Sequence, residues 1–213
     1  MKRYAADVAV LARKDLVLEL RARDTLPAML LFVVSALVVF HFALPAHSSE
    51  LAAKGLLWVA LVFTALVGLT RAFVAEREQR LIDGLLLAPC DRSAIWAAKA
   101  LAVLAFLLAA EIVALPAFAA FFSGIGWSTV AAVVLADLGI VAVGTLLAAM
   151  AAVSRTRELI LPLLFLPLAI PVVIGGVGAS VVDDPGRYLG FLGLYDIVFA
   201  IIAWASFEYV VTE

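Results

Sequence analysis

Three carboxylates, Glu111, Asp137 and Asp196, fall inside stretches that are otherwise almost wholly apolar. An acidic group in hydrocarbon is expensive and normally faces a cavity or a partner group. Two chemistries suit such residues. They can line a substrate pathway or relay protons, or they can stay hydrogen-bonded and fix the packing of helices. Two histidines, His41 and His47, sit near the end of the first apolar stretch, and imidazole there could ligate haem iron. With nothing else converging on them, they read more simply as interfacial side chains. No firmly bound cofactor and no metal site is expected.

Several other chemistries are excluded. A nucleotide-binding P-loop needs Gly-Lys-Ser/Thr, and no lysine (Lys2, Lys14, Lys54, Lys99) follows a glycine. The run Gly175-Gly176-Val177-Gly178-Ala179-Ser180 is Gly-rich but has no lysine. Cys90 is the single cysteine, so no internal disulfide or Cys-x-x-Cys motif can form. No Ser/His/Asp or two-histidine metal motif stands out, and no catalytic residue is assigned. A net charge of −2 gives no basis for binding nucleic acid. Energised work by this chain requires another subunit to supply the energy.

The elements that position these residues are membrane helices. The chain is 66% hydrophobic and 15% charged, far more apolar than a soluble domain. A spanning helix needs about 20 mostly apolar residues. Six segments qualify, at 26–44, 51–70, 98–122, 127–153, 159–182 and 188–211. An all-α integral membrane protein with six transmembrane helices is expected. Asp24 or Thr25 can cap the first span, with Pro27 in its first turn. Lys54 lies near one end of the second and can snorkel. Trp58, Trp96, Trp127 and Trp204 suit packing or interface anchoring.

Basic residues orient the array. Six precede the first span, five lie between spans two and three, and two lie between spans four and five; only Lys54 and Arg187 fall on the other side. The positive-inside rule then puts both termini in the cytoplasm. Residues 1–25 lack the pattern of a cleaved signal peptide. Val8, Leu11, Asp15 and Leu18 alternate there with basic positions, which suits a helix in the membrane interface; the plainer reading is a solvated helical tail.

The loop 71–97 is the longest polar stretch in the body of the chain. Leu81, Ile82, Leu85 and Leu86 share one helical face, opposite Arg80 and Asp83, and Pro89 ends the helix. That apolar face needs the bilayer surface or a partner protein. Span five carries Pro162, Pro167 and Pro171, then Gly175, Gly176 and Gly178. Each proline removes a backbone hydrogen bond, so a kinked helix packed inside the bundle is expected, with an end that can fold back.

Glu76-Arg77-Glu78, then Gly84-Leu85-Leu86-Leu87-Ala88-Pro89, Arg92-Ser93 and Lys99, resemble the cytoplasmic loop of ABC-2-type transporter permeases. The segment Leu161-Pro162-Leu163-Leu164-Phe165-Leu166-Pro167-Leu168-Ala169-Ile170-Pro171 is more specific. It resembles the fifth helix of the heme exporter protein B family, the membrane subunit of the cytochrome c maturation haem exporter. Leu194-Tyr195-Asp196 and Phe207-Glu208-Tyr209-Val210 are similar to that family too, and the resemblance covers essentially the whole chain.

The resemblance implies a permease in the bacterial inner membrane, paired with a second copy, an ABC ATPase subunit that binds ATP, a haem-handling membrane protein and a periplasmic haem chaperone. It implies that a coupling helix docks on the ATPase through Glu76, Arg77, Glu78, Arg80, Leu81, Asp83, Gly84, Leu85, Leu86, Pro89 and Arg92. Haem would be a substrate rather than a fixed cofactor. The competing readings are an ABC-2 exporter of a drug, lipid or polysaccharide, a passive membrane scaffold, and a proton-coupled carrier using Glu111 and Asp137.

Overall fold

A computed structural model describes residues 2–45, 49–73, 91–122, 124–153 and 157–212. Among these residues every regular element is a helix: α1 (Lys2–Ala22), α2 (Thr25–Ala43), α3 (Glu50–Arg71), α4 (Arg92–Phe121), α5 (Trp127–Val153), α6 (Arg157–Val181) and α7 (Gly186–Thr212). The helices α2 to α7 are each long and apolar enough to cross a membrane. The chain is an all-α, multi-pass membrane protein, and the expected six spans are present.

Local chemistry sets the helix ends. Asp91 caps α4 by accepting a hydrogen bond from the Ser93 N–H at 3.2 Å. The helix therefore starts at Arg92, not at Ala98, where the apolar run begins. Ser49 caps α3 by accepting from the Ala52 N–H at 3.3 Å, and Glu50 occupies the first turn, where a negative charge suits the helix dipole. At α2, Asp24 takes the cap position but its side chain makes no capping bond. Thr25 instead donates its hydroxyl proton to Glu19 on α1. Arg23 between them adopts φ 57, the left-handed conformation that often closes a helix. Its N–H donates to the Glu19 carbonyl at 3.0 Å, and the chain turns sharply from α1 into α2.

The most enclosed span is α5; α2 and α7 are the least enclosed. Packing around α5 is heaviest against α7 and α6, while α1 lies along α4. Small residues allow the close approaches. A side chain at Gly144 would run into Leu69 of α3, and one at Gly175 into Leu192 of α7. At Gly176 the buried indole of Trp58 fills the space a Cβ would need, and its Nε1–H donates to Ser180 Oγ at 3.0 Å. The sequence pattern allows α6 to fold back beyond its prolines. It does not: the helix runs unbroken through Pro162, Pro167, Pro171 and the glycines to Val181. The glycines are where α3 and α7 press against it.

Lys54 departs from expectation. Its side chain is 1% exposed rather than out in water. Its Nζ donates to the Gly124 carbonyl at 3.1 Å and lies 5.5 Å from the centre of the Phe118 ring. The Gly124 carbonyl is in the connection between α4 and α5, so an inward-turned ammonium satisfies a backbone acceptor and gains a cation–π contact.

Gly176→Val puts branched carbons into the Trp58 ring. It should cost about 1–3 kcal/mol, visible as a lowered thermal midpoint in detergent. Gly55→Ala, inside α3 where a Cβ meets nothing, should hold or slightly raise the midpoint.

Candidate functional site

Two groups of polar side chains stand out. The first lies where α1 meets the start of α4. Asp15 is 5% exposed, because α1 turns one face onto α4. Its carboxylate pairs with Lys99 Nζ at 3.2 Å and with Lys14 Nζ at 2.9 Å. Lys99 is equally buried, and its ammonium lies 5.2 Å from the Phe73 ring centre, just past α3. Ser93 Oγ donates to Tyr4 Oη at 3.3 Å. Asp15, Glu19, Thr25, Arg71 and Lys99 line one small cavity. This clasp holds together the last turn of α3 and the first turns of α4, the two helix ends that bracket residues 74–90. Removing one member of a buried ion pair strands the other, which is why such pairs fix geometry more than they add stability.

The second group lies inside the bundle. Glu111 stands ten residues from the end of α4 at Phe121, Asp137 ten residues into α5 from Trp127, and Asp196 ten residues into α7 from Gly186. Helix rise places all three about 15 Å from those ends. The structure brings Glu111 and Asp137 together as a side-chain hydrogen-bonded pair, both buried. A hydrogen bond between two carboxyls needs a proton on one of them. Asp137 Oδ2 has no further partner among the described residues. Asp196 does not join the pair. It packs against Gly139 on a different side of α5, in space that a side chain at 139 would occupy.

The remaining expected positions are placed as follows. Arg92 opens α4 beside its cap. Glu76, Arg77, Glu78, Arg80, Leu81, Asp83, Gly84, Leu85, Leu86 and Pro89 lie outside the described residues, as does His47. His41 packs among Phe42, Phe121 and Phe122, with ring centres 5.3 to 5.6 Å away. No cluster of three or more metal-ligating side chains occurs among the described residues. Trp96 donates from Nε1 to the Ala142 carbonyl at 3.4 Å, while Trp127 and Trp204 are exposed.

The clasp was the feature least visible in the sequence. Asp15 belongs to the amphipathic pattern of the N-terminal segment and Lys99 to the basic residues near the loop. Nothing local links two residues so far apart. A charged residue at a position that the apolar period assigns to the buried face is the one signal available.

The family model described as CcmB protein matches residues 6–207. Heme exporter protein B of Bradyrhizobium diazoefficiens is 29% identical over 178 residues, a stretch that covers 81% of this chain and 80% of that protein.

Lys99→Met alone should destabilise the chain by about 1–3 kcal/mol, because it leaves the buried Asp15 with only the partly exposed Lys14. Asp15→Leu combined with Lys99→Met should recover most of that loss in a thermal unfolding series. In the bundle, Glu111→Gln keeps a donor for Asp137 and should cost little. Glu111→Leu should cost about 1–3 kcal/mol more, read in the same series.

Proposed function

The chain belongs to the CcmB family, and from that premise we propose that it is the permease subunit of an ATP-driven complex for haem export or haem-chaperone release in cytochrome c biogenesis. The observation that carries this reading is the family match, which takes in six helices and the interhelical loop together. The likeness to a heme exporter protein B over four-fifths of both chains supports the same substrate class.

In this reading the membrane is the bacterial inner membrane, and the α1 end of the bundle is cytoplasmic. The imbalance of basic residues supports that orientation. ATP is bound and hydrolysed by a separate ATPase subunit. Residues 76–89 and Arg92 form its docking surface, with α1 lying against the membrane interface beside them. The clasp of Asp15, Lys99 and Phe73 gives that surface a firm base. A push on the loop reaches α3 and α4 directly, and reaches α1 and α2 through buried contacts. A second copy and a haem-handling membrane protein complete the assembly, with a periplasmic chaperone as recipient.

This subunit transmits force and does not itself hold haem. His41 lies at an exposed position beside three phenylalanine rings, with no cluster of further ligating side chains among the described residues, and the carboxyl pair Glu111–Asp137 is joined by its own hydrogen bond. The pair thus serves packing between α4 and α5 and does not favour a proton-coupled carrier.

Glu76→Lys or Glu78→Lys should abolish ATPase stimulation and binding of the ATPase subunit, measured by co-purification and phosphate release. Unchanged binding and turnover would return the chain to a passive scaffold. Haem found between the helices of this subunit during turnover would overturn the force-transmitting role.

A further inference from the structure

Helix α1 sorts its charges by face. Asp15 and Glu19 turn toward the bundle: Asp15 pairs with Lys99 and Lys14, and Glu19 accepts the Thr25 hydroxyl proton. Ala12 is buried on that side, and Tyr4 meets Ser93 of α4 there. Successive helical residues turn by about 100°. Val10, Arg13, Val17, Leu20 and Arg21 therefore share one stripe, about 100° wide, on the other side. All five are exposed. Lys14 borders the stripe, and Arg23, also exposed, follows just past the helix end. The nearest carboxylate on α1 is Asp7, which is partly covered. Neither Arg13 nor Arg21 has an acidic partner among the described residues.

The apolar members of the stripe differ from those that the sequence pattern favours. Val8, Leu11 and Leu18 are partly covered by the bundle, whereas Val10, Val17 and Leu20 face away from it. In a solvated tail these three would stand in water among two arginines.

The level of α1 is set by its contacts. Lys99 stands seven residues past Arg92, the start of α4, about 10 Å along that helix, and beside Ala98, where the apolar run begins. Phe73, which shares the Lys99 ammonium, lies just past α3. The end of α1 at Ala22 leads within a tight turn to Thr25, the start of a span. The helix thus runs at the edge of the hydrocarbon, where a bilayer offers acyl carbons and headgroup phosphates together. Guanidinium groups match phosphate oxygens in charge and geometry. A protein partner on the loop 74–90 would approach from elsewhere, because Tyr4 and Ser93, next to that loop, touch on the face of α1 opposite Arg13.

We propose that this stripe of α1 binds anionic phospholipid, with Arg13 and Arg21 on headgroup phosphates and Val10, Val17 and Leu20 against the first acyl carbons. The proposal rests on the proposed function only in setting α1 at the membrane interface; it names the lipid class that the helix selects. A zwitterionic headgroup carries the same phosphate but cancels its charge, so the selection is for net negative lipid.

The test titrates the full chain, purified in detergent with the subunits that accompany it and stripped of lipid. Phosphatidylglycerol and phosphatidylcholine with the same acyl chains are added separately, and native mass spectrometry counts the lipid bound. Phosphatidylglycerol should bind more tightly. Arg13→Gln with Arg21→Gln should weaken it about 25-fold, about fivefold per arginine, and leave phosphatidylcholine within about twofold. Arg13→Lys with Arg21→Lys keeps the charge and should keep the preference. In the unmodified protein the preference should shrink in concentrated salt, a readout that needs no variant. Equal affinity for the two lipids, or phosphatidylglycerol binding indifferent to the double glutamine variant, overturns the proposal. So does loss of the ATPase subunit from that variant with lipid binding intact, which assigns the stripe to a protein. Co-purification of the ATPase with the unmodified chain is scored separately. Its absence overturns the proposed function and leaves the lipid titration standing.

Discussion

The structure depends on one constraint: at membrane depth a polar group must find its partner inside the protein. Helices satisfy the backbone, and most buried side chains follow the same rule, with Thr129 and Asp196 as exceptions among the described residues. Thr64 and Thr145 donate to carbonyls one turn back on their own helices, at 2.7 Å each. Ser180 donates to Gly176 at 2.7 Å and accepts from Trp58. Lys54 turns inward to a loop carbonyl. Glu111 and Asp137 answer one another. Seen this way, the polar residues of the bundle are its fasteners, and the apolar residues decide only that it lies in lipid.

The same constraint explains what could be read from the sequence. The number of spans was legible because about 20 apolar residues in a row have one physical meaning. The proline helix was legible as an element, but not its continuity. The glycines beyond Pro171 look like a breaking point in isolation. They are contact points once Trp58, Leu192 and Tyr188 are in place. The extra turns at the start of α4 were missed because Asp91, a cap, lies outside the apolar run that defined the span.

Pairing was not legible. Glu111, Asp137 and Asp196 were identifiable as costly residues, yet hydrophobic period says nothing about which helix faces which. That Glu111 meets Asp137 while Asp196 is set against Gly139 follows from how α5 is turned between α4 and α7. The Asp15–Lys99 pair was hidden for the same reason. The proposed docking surface on residues 76–89 was read from motif likeness, and the clasp lies between the two described helix ends on either side of it.

The clasp also has a consequence in time. A membrane protein is made from its N-terminus, so Asp15 leaves the ribosome well before Lys99 does. Two spans, α2 and α3, must be threaded into the bilayer while α1 has no α4 to lie on. During that interval Asp15 has water and Lys14 for company, and α1 stays outside the hydrocarbon. Only when α4 arrives can the first helix settle. Residue 15 thus acts as a delayed closure in assembly: the segment synthesised first waits for the third span before it can reach its native place.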